Sequence, residues 1–528
     1  MATNNQQELG LKAHRKGLFA MSLASLASFQ YGVDFGIIGG LQAMIPFLQV
    51  FGVKDPSTAI GYNIPHDRQQ LIASLMILGA FVASMAAGFT SRYVGRKMSL
   101  WIACFGVFVS TVIMQATTSI GALYAGRLII GLANGMLMTH AQLYIQEILP
   151  GKYRGLGISA FSWWVTVGSF VGTIVDNYTA SIPSRNAYIV PLGIVHVVPG
   201  ILFIGLFFIP ESPRWLASLG KMDEAEKSLL WLRPKTWSVS EELAEMETAL
   251  AAEALIQSSV GFLDLFKNPI DRRRTVVSVL VLTTQAASGA MFIISYGTYF
   301  FQMANVGDAF QNSVILNAVG VFALLLNSFL VTRIGYRRVM MMNGLGLCGL
   351  SQLIIAIVYT VQPGTATTGK VVVGISVIYI VAYNGMISSY AWVSGGELSS
   401  QRLRSYTFGM ATAIGFFGAW LTTFTAPYFI NPDSLNWGPR YGYIWAPSCW
   451  IAMTWVYFYL PEVKDRSLEE IDEMFEARLP ARKFRGYRCT GTHTVLEKSH
   501  EKPEASHDEG KATVPAITEK VDQDHAVE

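Results

Sequence analysis

The chain has 528 residues, of which 52% are hydrophobic and only 14% charged, whereas a soluble domain carries about 25% charged residues. Its formal net charge of +3 argues against the clustered basic face that a nucleic-acid partner requires. The four cysteines are scattered and have no metal-ligand spacing. These proportions indicate a chain that folds in a lipid bilayer.

Apolar stretches long enough to cross a bilayer recur along the whole chain. A helix needs about 20 residues to cross the hydrocarbon core, and twelve runs meet this length. They lie near 17–40, 68–90, 98–117, 120–146, 156–179, 188–209, 274–300, 311–331, 339–361, 370–395, 405–430 and 441–460. We number them spans 1 to 12.

The runs and the polar stretches between them divide the chain into five predicted regions. These are a cytoplasmic N-terminal tail (1–16), an N-terminal six-helix bundle (17–210), a cytoplasmic helical linker (211–272), a C-terminal six-helix bundle (273–462) and a cytoplasmic tail (463–528). The tail begins with an amphipathic helix at 467–479. Its charge-rich residues after about 485 are expected to be disordered.

Basic residues gather in the loops on one side of the predicted bundle. The loops after spans 2, 4, 8 and 10 hold several Arg and Lys residues each, whereas the opposite loops hold isolated ones. Because cytoplasmic loops are enriched in Lys and Arg, we expect both termini to be cytoplasmic, in a multi-pass protein of the plasma membrane.

The two halves of the chain repeat each other. SRYVGRK (91–97) follows span 2 and TRIGYRR (332–338) follows span 8. The pair Glu147 and Arg154 after span 4 recurs as Glu397 and Arg404 after span 10. Such internal repetition is typical of transporters whose site lies between two similar bundles.

Several motifs identify the family that the chain resembles. They are YGVDFGIIGG (31–40), GRLIIGLANG (126–135), YIQEILPGKYRG (144–155) and PESPRWL (210–216). Over roughly 17–485 the chain is similar to the sugar porter branch of the major facilitator superfamily, and its C-terminal part resembles fungal hexose and α-glucoside proton symporters. The resemblance implies an all-α membrane protein with twelve transmembrane helices in two pseudo-symmetric six-helix bundles.

Asp34 in span 1 and Arg127 in span 4 are charged residues deep inside apolar runs. Each costs about 2.5–3.5 kcal/mol at a helix centre, so each needs a partner or a wet cavity. Counted from the cytoplasmic flanks they lie at similar depths, roughly 27 and 30 Å of helix. The resemblance implies that Asp34 binds the coupling proton and that Arg127 pairs with it. A static buried ion pair is the alternative.

The resemblance also assigns residues to the sugar site. It implies substrate contacts from Gln285 in span 7 and Trp392 in span 10, and an outer aromatic gate at Tyr296. Ser162 stands where the family carries a span 5 glutamine, so this pocket is expected to be roomier than a hexose site. A larger sugar is therefore favoured over glucose.

A cytoplasmic gate of ion pairs is implied at the helix ends. Its residues are Arg96, Glu147, Arg154, Glu211, Arg214, Arg337, Glu397 and Arg404. The chain departs from the family pattern in one respect, because Arg92 and Thr332 replace the acid expected in each of the two repeated loops.

Together these features predict a secondary active transporter that takes up a mono-, di- or oligosaccharide with protons by alternating access. Three alternatives stay open: a facilitative sugar uniporter, a polyol- or quinate-type porter, and a sugar sensor that does not transport. We expect a sugar, a proton and the lipid bilayer as partners of a monomer. No catalytic group, metal site, cofactor or nucleic-acid partner is expected, so the chain is not predicted to be an enzyme.

Overall fold

The computed structural model describes residues 11–56, 58, 60–259, 261–303, 307–333, 336–400, 402–464, 466, 468–487 and 489. Helices follow each of the twelve apolar runs. Their bounds are Arg15–Leu41, His66–Tyr93, Arg96–Ala116, Ile120–Ile148, Gly151–Thr179, Asn186–Ile194 with Val197–Gly205, Pro269–Ala287 with Ala290–Met303, Ala309–Arg333, Arg337–Val361, Ala366–Tyr383 with Ser389–Leu398, Arg404–Ile430 and Gly442–Tyr459.

Length and composition alone qualify nine of the described helices to cross a membrane, or ten if the bent pair Arg15–Leu41 and Ile45–Phe51 counts as one. Span 5 (Gly151–Thr179) and span 12 (Gly442–Tyr459) are not among them. Span 12 contains three Trp and three Tyr residues, which lower its mean hydropathy, and several side chains at the start of span 5 lie outside the described part of the structure. They nevertheless lie within the same bundle as the more apolar spans.

Three spans that the sequence predicts as single helices are interrupted, and span 6 breaks between Ile194 and Val197. Span 7 breaks after Ala287, and Gly289 there has φ +77°. A Cβ at Gly289 would lie 2.6 Å from Cδ2 of Trp445, so both the backbone and the space require glycine. Span 10 passes through a π-helical turn at Asn384–Ser388, which widens the helix in its middle.

Spans 1 and 5 pack backbone against backbone through glycines. A Cβ at Gly32 would lie 2.0 Å from the carbonyl oxygen of Val165, and a Cβ at Gly168 would lie 2.2 Å from that of Phe29. Such small residues allow membrane helices to approach closely. Because Asp34 follows Gly32 by two residues, this contact fixes which way the acid points.

The linker and the tail form short helices at the same end of the bundle as the described termini, which we call the inner end. They comprise Pro213–Ser218, Met222–Leu232, Val239–Ser259, Asp264–Lys267 and Leu468–Glu476. The last lies within the amphipathic helix predicted at 467–479. The predicted disordered tail after about 485 falls mostly outside the described residues.

The loop between spans 1 and 2 holds structure that the sequence did not predict. It contains the helix Ile45–Phe51 and a two-stranded antiparallel sheet, in which Val53 pairs with Asn63 and Lys54 with Tyr62. This loop lies at the end opposite the termini, which we call the outer end. The sheet returns the chain to span 2 and positions Asn63 at the contact between the two halves.

Candidate functional site

The structure brings Asp34 and Arg127 together in the middle of the N-terminal half. Nη1 of Arg127 lies 3.0 Å from Oδ1 of Asp34, and both side chains are 1% exposed. Nε of Arg127 donates to the carbonyl oxygen of Ile72 at 2.8 Å, which ties the pair to span 2. A buried charge needs such a partner, because removing either member leaves the other uncompensated.

Asn134 also binds Asp34, and the sequence analysis did not single it out. Its Nδ2 donates to Oδ2 of Asp34 at 3.2 Å, and Asn134 is fully buried. Asn134 follows Arg127 by seven residues, or about two helical turns, so both side chains lie on the same face of span 4. That spacing was visible in the sequence, but an asparagine carries no charge to draw attention to it.

Gln285, a predicted sugar ligand, lies half-buried just below the break in span 7. Oη of Tyr383 in span 10 donates to its Oε1 over a long 3.5 Å contact. Tyr31, one turn before Asp34, lies close to both Asp34 and Tyr383. The predicted coupling pair and the predicted sugar ligand are therefore linked through two tyrosines.

The other three predicted sugar-site residues have different surroundings. Tyr296 is fully buried, and its hydroxyl donates to the carbonyl oxygen of Thr423 at 2.8 Å. Ser162 is exposed on span 5. Trp392 is 40% exposed and packs edge to face against Phe408. Tyr296 therefore lies in a closed contact, as an aromatic gate does when shut.

Polar side chains join the two halves at the outer end, in a group that we call the outer seam. Nδ2 of Asn63 donates to Oδ1 of Asn431 at 2.9 Å. Nδ2 of Asn431 contacts the carbonyl oxygen of Ile64 at 2.7 Å and Oε1 of Gln69 at 2.9 Å. Tyr299 donates to Oδ1 of Asn63 at 2.8 Å. Because Asn63 and Asn431 are 368 residues apart, no sequence pattern predicted this contact.

The predicted gate forms one ion pair within each half at the inner end. Arg96 binds Glu147 through two hydrogen bonds of 2.9 and 2.7 Å. Arg337 binds Glu397 in the same way, at 3.0 and 2.6 Å. The repeat in the sequence therefore corresponds to a repeat in the contacts. Each pair connects two helices of the same half.

Glu211 caps the start of span 3. Its carboxylate accepts from the backbone N–H of Lys97 at 3.2 and 3.1 Å and from that of Ser212 at 2.8 Å. Burial raises the pKa of Glu211 above its ordinary value of 4.5, although the backbone donors oppose this. Gly95 with φ +88° leaves room for the carboxylate, since a Cβ there would lie 2.9 Å from its Oε2.

Glu462 caps the start of span 9 in the same way as Glu211 caps span 3, and the sequence analysis did not identify it. Its carboxylate accepts from the backbone N–H groups of Arg337 at 3.2 Å and Arg338 at 3.1 Å. The dipeptide Pro461-Glu462 repeats Pro210-Glu211, which was the available signal. A carboxylate at a helix start is favoured by the free N–H groups and the dipole there.

The remaining predicted gate residues are placed less centrally. Arg214 lies in the helix Pro213–Ser218, next to Glu211. Arg404 is exposed at the start of span 11, close to Glu397. The side chains of Arg154, Arg92 and Thr332 lie outside the described part of the structure.

Span 5 buries a second acid that the sequence analysis did not single out. Asp176 is 1% exposed and packs against Gly40, whose Cβ would lie 2.1 Å from its Oδ2. Neither carboxylate oxygen has a side-chain partner among the described residues. The described residues contain no group of three or more His, Cys, Asp or Glu side chains able to hold a metal.

The distribution of contacts defines the conformation. Hydrogen bonds cross between the halves in the outer seam and between Ser169 and Asn317, at 2.9 Å. At the inner end the ion pairs of Arg96 and Arg337 stay within their own halves. The structure is therefore closed at the outer end.

Comparisons with known proteins agree with this architecture. The family described as "Sugar (and other) transporter" matches residues 20–475. A major facilitator-type transporter of Aspergillus rugulosus, ecdD, is 28% identical over 461 residues, which cover 84% of each chain. The high glucose sensor RGT2 of Saccharomyces cerevisiae is 29% identical over 483 residues, which cover 89% of this chain but only 62% of the sensor.

A solved structure has the same fold. The inward open conformation of the xylose transporter XylE from E. coli superposes with a TM-score of 0.69 at 18% identity, covering 86% of this chain and 98% of that one. The protein is thus an all-α membrane protein with twelve spans in the major facilitator fold. Since the family match extends over most of its length, the chain belongs to the sugar (and other) transporter family.

Proposed function

We propose that the protein is a secondary active transporter that takes up a sugar together with protons by alternating access. The observation that carries the proposal is the buried pair of Asp34 and Arg127, which lies inside the membrane-spanning part of the bundle. Intramembrane ionisable pairs of this kind commonly mark proton or substrate pathways.

The pair supplies a physical basis for coupling. While Asp34 is ionised, it holds Arg127 and joins span 1 to span 4. Protonation of Asp34 removes the charge that Arg127 binds, and the ion pair weakens. The conformation in which the two groups separate then becomes accessible, so proton binding changes the balance between outward-open and inward-open states.

A sugar fits the polar groups around Gln285 in the C-terminal half. An amide such as that of Gln285 both donates and accepts hydrogen bonds, as sugar hydroxyls do. Tyr383 contacts this amide, and Tyr31 lies close to both Tyr383 and Asp34. The smaller residues at positions such as Ser162 favour a sugar larger than glucose. The similarity to a glucose sensor and to a xylose transporter supports a sugar as the class of ligand.

The proposal includes the cellular setting. We place the protein in the plasma membrane with both termini cytoplasmic, so that the outer seam faces the cell exterior. It works as a monomer and needs no bound cofactor apart from the coupling proton. A facilitative uniporter and a polyol- or quinate-type porter are distinguished from it by the experiment that follows.

The test is uptake of labelled D-glucose, D-xylose, maltose and a polyol by cells that lack their own sugar transporters, with and without a protonophore. We expect accumulation that the protonophore abolishes. Asp34→Asn should lose accumulation but retain exchange, while Asp67→Asn, an exposed acid at the start of span 2, should behave like the wild type. Concentrative uptake that survives Asp34→Asn would contradict the coupling mechanism.

A non-transporting sensor is the second candidate, because one of the fungal relatives is a high glucose sensor. That sensor is longer, since this chain spans 62% of its length. A sensor would bind sugar without carrying it. Protein that reaches the membrane but supports neither uptake nor exchange of any sugar in the panel would favour this candidate.

A further inference from the structure

Asn134 holds the carboxylate of Asp34 from the side that Arg127 leaves open. Arg127 takes Oδ1 and Asn134 takes Oδ2, and both donors come from span 4. All three side chains are buried, with at most 1% of their surface exposed. The acid therefore has one donor on each oxygen, and only one of the two is charged.

The two donors differ in what they can do when Asp34 changes its protonation state. An ionised carboxylate only accepts hydrogen bonds, so both a guanidinium and an amide satisfy it. A protonated carboxyl also donates, and its O–H needs an acceptor. Arg127 has no acceptor atom, whereas the amide of Asn134 has Oδ1.

The acceptor atom of Asn134, Oδ1, accepts no hydrogen bond from the described residues in this structure. Oδ1 of Asn134 is buried and has no hydrogen-bond partner among the residues that the structure describes. Turning the amide by half a rotation exchanges Nδ2 and Oδ1, which would bring Oδ1 to the oxygen of Asp34 that now faces Nδ2. The same side chain can thus bind the acid in either protonation state, without moving the helix.

We propose that Asn134 is a positioning residue of proton coupling, which holds Asp34 in both its charged and its neutral form. This inference rests on the proposed function. When Asp34 takes up a proton, its O–H donates to Oδ1 of Asn134, so the hydrogen of the neutral acid is bonded within the core. Asp34 can then part from Arg127 without losing its place in span 1. A site with Arg127 alone would leave the neutral acid without an acceptor.

The first test reads the hydrogen bond of Asp34 directly and needs no substrate. Infrared difference spectra of the purified full-length protein, recorded across a pH titration, give the carbonyl band of protonated Asp34, which is identified by its absence in Asp34→Asn. Asn134→Leu keeps the shape but removes both polar atoms, so we expect the band to move to higher frequency. In Asn134→Ser a hydroxyl that donates and accepts remains, so the band should stay near its wild-type position.

Asn327→Leu is the matched control. Asn327 is a buried asparagine of span 8 with no hydrogen-bond partner among the described residues. The same substitution there should leave the Asp34 band unmoved. A band that does not respond to Asn134→Leu, that moves equally in Asn327→Leu, or that is absent at every pH would overturn the inference.

The second test is transport of labelled D-glucose or maltose, whichever the wild type accumulates more. Asn134→Leu should reduce the stimulation of uptake by external acid about tenfold, the factor that one lost buried hydrogen bond can produce, while exchange is retained. Asn134→Ser should restore most of the stimulation. Unchanged stimulation in Asn134→Leu would reject the role of Asn134 and leave the proposed function intact. Wild-type uptake of both sugars that ignores a protonophore would reject the proposed coupling itself, and with it the role of Asn134.

Discussion

Asn63 and Asn431 hydrogen-bond to each other across the two halves of the protein, at 2.9 Å and fully shielded from solvent. Asn63 belongs to the loop after span 1, and Asn431 directly follows span 11. Together with Gln69 they form a buried amide cluster. A cluster of this kind stabilises the closed outer end only while all its members are present, because each amide satisfies another.

Asn431→Ala should shift the protein toward the state that is open at the outer end. The substitution removes four hydrogen bonds of the Asn431 side chain, three of which cross between the halves, and each contributes about 0.5–1.5 kcal/mol. We expect the outward-open population to rise at least about fivefold, the factor that 1 kcal/mol produces. Distances between spin labels at Lys54→Cys and Leu435→Cys, both exposed at the outer end, measure this shift.

The labelled protein should carry Cys489→Ser, since the other three cysteines are buried. Asn186→Ala serves as the control, because Asn186 is an exposed amide of the outer end that lies within one half. An unchanged distance distribution in Asn431→Ala would mean that other contacts hold the outer end closed.

Arg127→Met should destabilise the protein more than its double variant with Asp34→Asn. Alone, the substitution leaves Asp34 buried without its charged partner, which costs about 3–5 kcal/mol. Adding Asp34→Asn removes the uncompensated charge and should recover a large part of that loss. Thermal unfolding of the four proteins of this cycle measures the coupling. Strictly additive effects would show that the two groups do not stabilise each other.

Glu211→Gln should change how stability depends on pH. Because burial raises the pKa of Glu211, the stability that this group contributes is greatest below about pH 4.5 and is lost as the pH rises through the pKa of the folded state. Glutamine does not titrate, so the stability of the variant relative to the wild type should rise between about pH 5 and about pH 7.5.

Melting temperatures of both proteins at the two pH values measure this difference. Glu226→Gln is the control, because Glu226 is exposed in the neighbouring helix Met222–Leu232. A relative stability that is constant or falls over this pH range would contradict the assigned direction of the pKa.

Gly168→Ala should disrupt the contact between spans 1 and 5. Its methyl group would meet the carbonyl oxygen of Phe29 at 2.2 Å, and neither backbone can move without shifting a whole helix. Overpacking of this kind costs about 1–3 kcal/mol, so we expect a lower melting temperature and less monodisperse protein. Gly374→Ala in span 10, where a methyl group meets nothing within 4 Å, should be tolerated. Equal stability of the two variants would argue against direct backbone packing.

Runs of about 20 mainly apolar residues located the twelve spans, although length and composition alone qualify only nine or ten of the described helices to cross a membrane. Hydropathy could not predict the break at Gly289 or the π-helical turn at Asn384–Ser388. Both lie inside runs that the sequence predicts as single helices, and contact with another helix requires the glycine at position 289. The Cβ of a residue at position 289 would collide with Trp445, which is 156 residues away in the chain and leaves no local pattern.

The charged part of the site was predictable for a similar reason. A charge in an apolar run must find a partner, and the similar depths of Asp34 and Arg127 made their pairing plausible, as the family resemblance also implied. A neutral amide in an apolar run carries no charge that requires a partner, so the sequence does not single it out. The roles of Asn134 and Asn431 were recognised only when the structure showed which atoms they bind.

The break in span 7 separates the helix into two segments that carry different predicted functional residues. Below Gly289 the inner segment carries Gln285, while above it the outer segment carries Tyr296 and Tyr299, whose hydroxyls donate to Thr423 and Asn63 in the closed outer end. If span 7 were one unbroken helix, Gln285 and the two tyrosines would have to move together. Because the helix is interrupted at Gly289, the outer segment can move while the inner segment keeps its position. Opening of the outer end therefore does not require Gln285 to move.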